Sequence, residues 1–248
     1  MLMKFYKKTT SQHMILWLML SVVLTILITV SLNVWALSVK PRVFVYVSTM
    51  TRASTLQKKL QGAMSKTQVK VFSRIRDFKK AVSDESPDAV IARKNLVQGV
   101  QMKPGLQGVL NGKKTEAYVL LTVDNSVDIT TLNGKNVGAV DELGRRQTAS
   151  FVEKSLGVKP TVKRTVKVEN LLALLQFSAA DAIFLPKRLT ETLKKSSQLT
   201  LVETPVPGAS MPLPVAAFAS DEATAVVAPA IKELSRSINS ILGVDSWQ

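Results

Sequence analysis

The sequence predicts an α/β protein of two lobes, each a parallel sheet flanked by helices, preceded by one N-terminal transmembrane helix. Three observations carry this expectation. Residues 14–39 contain no charged side chain, strand and amphipathic-helix patterns alternate from residue 42 onward, and the alternation restarts near residue 132.

At 248 residues with 46% hydrophobic content, the chain is long enough for one large domain or two small lobes. Lys and Arg outnumber Asp and Glu by 33 to 18, a net charge of +15, so anions, lipid headgroups and nucleic acid are all electrostatically favoured. The absence of cysteine removes disulfides, thiolate nucleophiles and Cys-ligated metals. The single histidine, His13, precedes the apolar run. A Ser-His-Asp triad or His-ligated metal therefore cannot be built in the chain beyond it. No catalytic residue, metal site or cofactor is expected, and the protein reads as a binder rather than an enzyme.

The first 13 residues form a basic tail with Lys4, Lys7 and Lys8, read as cytoplasmic. About 20 residues at 1.5 Å rise cross a bilayer, so residues 14–39 suffice, and Trp17 and Trp35 near its ends suit the two interfaces. Ala36-Leu37-Ser38 is also readable as a signal-peptide cleavage site, but the apolar run is longer than the h-region of a cleaved signal, which favours a retained anchor. Orientation by charge is nearly tied, because Lys40, Arg42, Arg52 and Lys58 follow the span. A short basic tail before a first apolar segment places residues 40–248 outside, as a single-pass protein of the cell inner membrane with its domain facing the periplasm. That domain keeps 30 basic and 18 acidic residues, a net +12.

Residues 42–47 read as a buried strand. Leu56, Leu60 and Met64 then recur every four residues on one helix face. A second unit pairs a strand at 69–72 with a helix carrying Phe78, Ala81 and Val82 that stops near Ser86-Pro87, and a third strand covers 88–92. Residues 93–114, with Gly99, Pro104, Gly105, Gly108 and Gly112, read as irregular chain with at most one helical turn. Strands follow at 116–123 and 136–140, then a helix through Phe151, Val152 and Leu156 that stops at Gly157. Beyond it are a strand at 162–166, a Leu-rich helix at 168–177, a strand at 181–185, a helix at 189–195, and strands at 199–202 and 215–219. Ile231, Leu234, Ile238 and Ile241 predict one terminal helix. The expected first lobe covers about 41–123 and 216–248 and the second about 124–215, with the strands near 117–123 and 215–219 as connections. Ligands of such folds bind at the carboxyl ends of strands.

Leu132-Asn133-Gly134-Lys135-Asn136-Val137-Gly138-Ala139-Val140 resembles the strand that opens the second lobe of type 2 periplasmic solute-binding proteins. The helix Val168-Glu169-Asn170-Leu171-Leu172-Ala173-Leu174-Leu175-Gln176 and the strand Ser178-Ala179-Ala180-Asp181-Ala182-Ile183-Phe184 are similar to that family's next motifs, in the same order. The resemblance spans about residues 41–242, strongest over 132–220, and looks closest to the phosphate/phosphonate-binding branch. It implies two lobes that close on a solute and an ABC permease as partner. The branch's Ser/Thr-Ser-Gly loop is absent: Asp141-Glu142-Leu143-Gly144-Arg145-Arg146-Gln147-Thr148 stands there, so either Arg145, Arg146 and Thr148 bind the anion by another route, or the site has lost its family ligand and the arginines form a solvated basic loop. In the first lobe the resemblance points to Ser48, Thr49, Thr51, Arg52, Ser54 and Thr55, residues that equally suit a helix cap and its turn.

Gly108 to Lys114 resembles a phosphate loop, but its glycine spacing is one residue short and no Ser or Thr follows the lysine. The lysine pairs at 58–59, 79–80, 113–114 and 194–195 lack an aromatic platform, so no nucleic-acid partner is expected. The expected function is capture of a small anion, phosphate- or phosphonate-like, for ABC-type uptake or sensing. The alternative is an interaction protein that reuses the fold to dock a membrane or envelope protein through its basic surface.

Overall fold

The computed structural model describes residues 40–98 and 100–248. The basic tail at 1–13, the transmembrane segment at 14–39 and the inner-membrane placement built on them lie outside the described residues. Among the described residues no helix is long and apolar enough to cross a membrane.

Two sheets organise residues 41–248, and they are built alike. In the first, β1 (Arg42–Val45) lies between β2 (Gln68–Val71) and β3 (Ala89–Arg93), all parallel. Beyond β3 come β10 (Pro214–Phe218), β4 (Lys103–Val109) and β11 (Ser246–Trp247), each antiparallel to its neighbour. In the second, β6 (Asn136–Val140) lies between β7 (Thr161–Thr165) and β8 (Ala182–Pro186), again parallel, followed by antiparallel β5 (Thr115–Val123) and β9 (Leu201–Pro212). The expected α/β two-lobed architecture is therefore present, with mixed rather than all-parallel sheets. The reason is connectivity: the chain enters and leaves the second lobe through strands that join side by side, and adjacent returning strands pair antiparallel.

The helices are α1 (Ala53–Ala63), α2 (Ile75–Glu85), the single turn α3 (Lys94–Val97), α4 (Arg145–Leu156), α5 (Glu169–Gln176), α6 (Thr190–Ser196), α7 (Asp221–Lys232) and α8 (Arg236–Leu242). Their apolar faces are those the spacing marks: Leu56 and Leu60 of α1, Phe78 and Ala81 of α2, Val152 and Leu156 of α4 are buried. Gly157, at φ 67°, ends α4 in the left-handed conformation that a side chain would resist. Ser220 caps α7 by accepting from Ala223 N, with Asp221 and Glu222 in its first turn.

Four boundaries differ from the sequence reading. The stretch expected to be irregular contains β4, whose glycines are imposed by neighbours: a Cβ on Gly105 would lie 2.5 Å from the Phe218 ring, and one on Gly108 would lie 2.8 Å from Pro214 O. Strand β9 runs on to Pro212 through Pro205 and Pro207, which an edge strand tolerates. The terminal apolar spacing is retained as one inward face, but the helix breaks at Ser235, where the backbone turns extended. Residues 115–123, expected in the first lobe as a connection, hydrogen-bond to β8 and β9 and belong to the second sheet.

The crossovers therefore fall at Leu110–Lys114 and Leu213. They touch: Leu213 N donates to Lys114 O at 2.9 Å. Buried apolar residues form one cluster that includes both lobes, with Tyr46, Phe78, Ala92 and Leu96 from the first and Tyr118, Leu143, Phe184 and Met211 from the second.

Candidate functional site

The carboxyl ends of β1 and β6 face each other across the two lobes. From β1 the chain continues through Tyr46–Arg52 into α1, whose first turn has no side-chain cap, so its leading N–H groups remain available. Thr49 Oγ1 accepts from Thr51 N at 3.2 Å and shapes this loop. A cavity of about 280 Å³ opens here, bounded on one side by Ser48, Thr49, Thr51, Arg52 and Ser54, and on the other by Lys167 and Glu169 at the start of α5. Ser48 is 8% exposed, and its Oγ is buried without a hydrogen-bond partner among the described residues.

Four of the five first-lobe hydroxyl residues named from sequence thus border one space, together with Arg52. The fifth, Thr55, lies on the exposed face of α1 and outside that lining. Arg145 and Arg146 begin α4, exposed, and do not border the cavity. Thr148 is buried within the second lobe: its hydroxyl donates to Asp141 Oδ1 at 3.0 Å and accepts from Leu143 N at 3.2 Å. These bonds hold the loop from β6 to α4, while Gly144, at φ 98°, supplies the backbone turn that no side chain would accept readily.

Sequence reasoning passed over a second group, a buried ion network. Arg93, the last residue of β3, projects from the first lobe, and every polar partner of its side chain belongs to the second. Its Nε donates to Glu142 Oε2 at 2.8 Å, its Nη1 to Pro212 O at 2.9 Å, and its Nη2 to Tyr118 Oη at 3.1 Å and to Glu116. Tyr118 in turn donates to Glu142 Oε2 at 2.8 Å. Arg188, just after β8, donates to Glu116 Oε2 at 2.8 Å and reaches back to Ser48 O in the first lobe at 2.7 Å. Two further links join the lobes: Tyr46 Oη donates to Asp141 O and Lys79 Nζ to Leu143 O.

Two arginines and two glutamates balance in charge, which is what allows them to be buried. Burial alone would discharge Arg93, but Glu142, Tyr118 and Glu116 hold its pKa well above the ordinary value. Burial would likewise raise Glu116, yet the adjacent Arg93 and Arg188 guanidiniums bring it below the usual carboxylate range. Both tyrosines titrate well above their ordinary value, chiefly through burial, with Glu142 adding to it, so both are neutral hydrogen-bond donors. One signal was available in the sequence: Arg93 ends an apolar strand at the edge where ligands of such sheets bind.

No family model and no curated protein matches the chain. Solved structures do. A binding protein component of an ABC phosphonate transporter from Pseudomonas aeruginosa aligns at TM-score 0.61 and 13% identity, over 85% of this chain and 82% of that one. The GluR0 ligand-binding core in complex with L-glutamate aligns at 0.56 and 14%, over 84% and 98%. The substrate binding protein of an amino acid ABC transporter aligns at 0.54 and 14%, over 81% and 96%. The chain thus has the two-lobed fold of solute-binding proteins, and the phosphonate branch is one among several neighbours. At such identities the fold is what is shared.

Proposed function

We propose that the chain is a solute-binding protein that captures a small anion, phosphate- or phosphonate-like, in the cavity between the carboxyl ends of β1 and β6, for ABC-type uptake or sensing. The observation that carries this reading is Ser48 Oγ, buried and unpartnered beside the uncapped start of α1. A buried hydroxyl without a partner is unfavourable, and rotation of the Ser48 side chain toward the cavity would let a bound oxyanion satisfy it together with the first N–H groups of α1. Thr49, Thr51 and Ser54 add donors, and Arg52 and Lys167 supply positive charge. Lobe closure about the paired crossovers at 110–114 and 213 would exclude water from the anion. With no cysteine and its one histidine at position 13, the chain reads as a binder rather than an enzyme. Residues 14–39 are proposed as a retained anchor that holds the domain outside the inner membrane, which protease protection of sealed vesicles checks.

The test is a thermal-shift and calorimetric titration of the full-length protein with phosphate, methylphosphonate, sulfate, glutamate and arginine. A ligand at a hundred times its dissociation constant adds about 2.7 kcal/mol, or roughly 5–10 °C for a domain of this size. The reading expects such a shift with one oxyanion class, reduced at least tenfold in affinity by Ser48→Ala. No shift with any of the five sinks it. A second reading, docking of an envelope or membrane protein, is favoured by one observation: buried ion pairs formed by the chain's own side chains join the two lobes.

A further inference from the structure

Arg93 ends a first-lobe strand and faces the opposite lobe, at the carboxyl end of the sheet, where ligands of such folds bind. Its guanidinium is 5% exposed and already meets a carboxylate. That carboxylate, Glu142, comes from the far lobe, two residues past the end of β6. We propose that Arg93 is an anion seat which the chain fills with its own Glu142, and that this internal ligand latches the two lobes together in the absence of any solute.

Three features of Glu142 fit an occupant rather than a structural counter-ion. It uses one oxygen: Oε2 accepts from both Arg93 and Tyr118, while Oε1 is buried with no partner among the described residues. Glu116, which belongs to the second sheet and is shared with Arg188, pairs with the same guanidinium, so Glu142 is a second carboxylate on Arg93 rather than its only one. A space of about 10 Å³ adjoins it, bordered by Tyr118, Leu143, Thr148 and Phe151. A carboxylate carried in from the opposite lobe, meeting the guanidinium at one oxygen and leaving the other unpartnered, takes the place a small free carboxylate could fill with both oxygens. The latch is reinforced from the other direction by Arg188, which pairs with Glu116 and donates to Ser48 O across the lobes. Gly243 makes room for it: a Cβ there would lie 2.7 Å from Arg188 Nε.

The chain has no cysteine, so spin labels at Lys58→Cys on α1 and Asn170→Cys on α5, both exposed and on different lobes, report lobe separation in the full-length protein without background. With Glu142 intact, pulsed electron resonance in phosphate-free buffer is expected to give one narrow distance. In Glu142→Ala the distribution broadens and lengthens. Sodium formate at 100 mM then narrows it again and raises the melting temperature by about 3–6 °C over equal sodium chloride, taking a dissociation constant near 10 mM. Glu142→Gln, which keeps the volume and guards against misfolding of the alanine variant, broadens the distance without responding to formate. A broad distance with Glu142 intact, a distance unmoved in both variants, or a formate response no larger than that of chloride overturns the proposal. Whether phosphate binds near Ser48 does not affect these outcomes, so the two readings fail separately.

Discussion

Two regions of the interface between the lobes make opposite use of polar groups. Around Ser48 and the start of α1, hydroxyls and backbone N–H groups border an open cavity, and a buried oxygen has no partner. Around Arg93, full charges are packed against each other and the guanidinium donates to four acceptors. The first arrangement leaves interaction capacity for something outside the chain, and the second satisfies most of its capacity within it. A solute-binding interface ordinarily keeps its strongest donors for the ligand. Here the buried guanidinium holds the lobes together, while hydroxyls with the cationic Arg52 and Lys167 border the open cavity.

The largest test of this contrast is removal of Arg93. Arg93→Met leaves Glu116 with Arg188 alone and Glu142 with only a tyrosine, both in a buried setting. Breaking a buried pair costs about 3–5 kcal/mol, so the melting temperature is expected to fall by roughly 6–20 °C. The same substitution by a long side chain near Ser48 has no such charge to expose. Arg188→Ala ranks next, because Glu116 keeps Arg93 while Ser48 O loses its donor, at about 2–3 kcal/mol by urea denaturation.

Acid and alkaline titration separate the same network from the rest of the molecule. Glu116 has a depressed pKa in the fold, so the stability it confers is present above the ordinary carboxylate value of 4.5 and is lost as pH falls below it through the folded value. Tyr118 has a raised one, so its neutral form stabilises the fold up to about pH 10, above which the unfolded chain releases the proton first and stability declines. Urea midpoints measured from pH 2.5 to 11 should fall at both ends. Arg93→Met should flatten the acid limb, and Tyr118→Phe the alkaline one. An unchanged acid limb in Arg93→Met would show that Glu116 is not held ionised by its arginines.

What the sequence disclosed divides along physical lines. Elements with a strong local pattern were legible: the Leu56, Leu60, Met64 stripe, the Gly157 stop, the buried strands at 89–93 and 182–186. Elements defined by distant partners were not. Strand β4 has glycine at 105 and 108 because Phe218 and Val244 occupy the space that side chains would need there, and nothing local to residues 103–109 announces that. Hydroxyls at 48–54 were named because ligands of such sheets bind at the carboxyl ends of strands, and four of them border one cavity. The Arg93 network was missed because Arg93, Glu116, Glu142 and Arg188 are separated by 23 to 140 positions from the partners they touch, and a charged residue at a strand end reads as solvent-exposed. Arg145 and Arg146 show the converse: a charge pair conspicuous in sequence that the fold leaves at the surface.

The smallest expected effects sharpen that last point. Thr148→Val removes one hydroxyl that donates to Asp141 and accepts from Leu143 N, a loss of about 1–2 kcal/mol in urea denaturation, with phosphate affinity unchanged because Thr148 lies outside the cavity. Arg145→Ala with Arg146→Ala should alter stability by no more than about 0.5 kcal/mol and phosphate affinity by less than about twofold at 0.15 M salt, where screening acts over about 8 Å. A tenfold loss of phosphate binding in the double alanine variant, measured by calorimetry, would place the arginines in the site after all. It would mean that the bound form brings α4 toward α1, so that the cavity around Ser48 is only half of the ligand's surroundings.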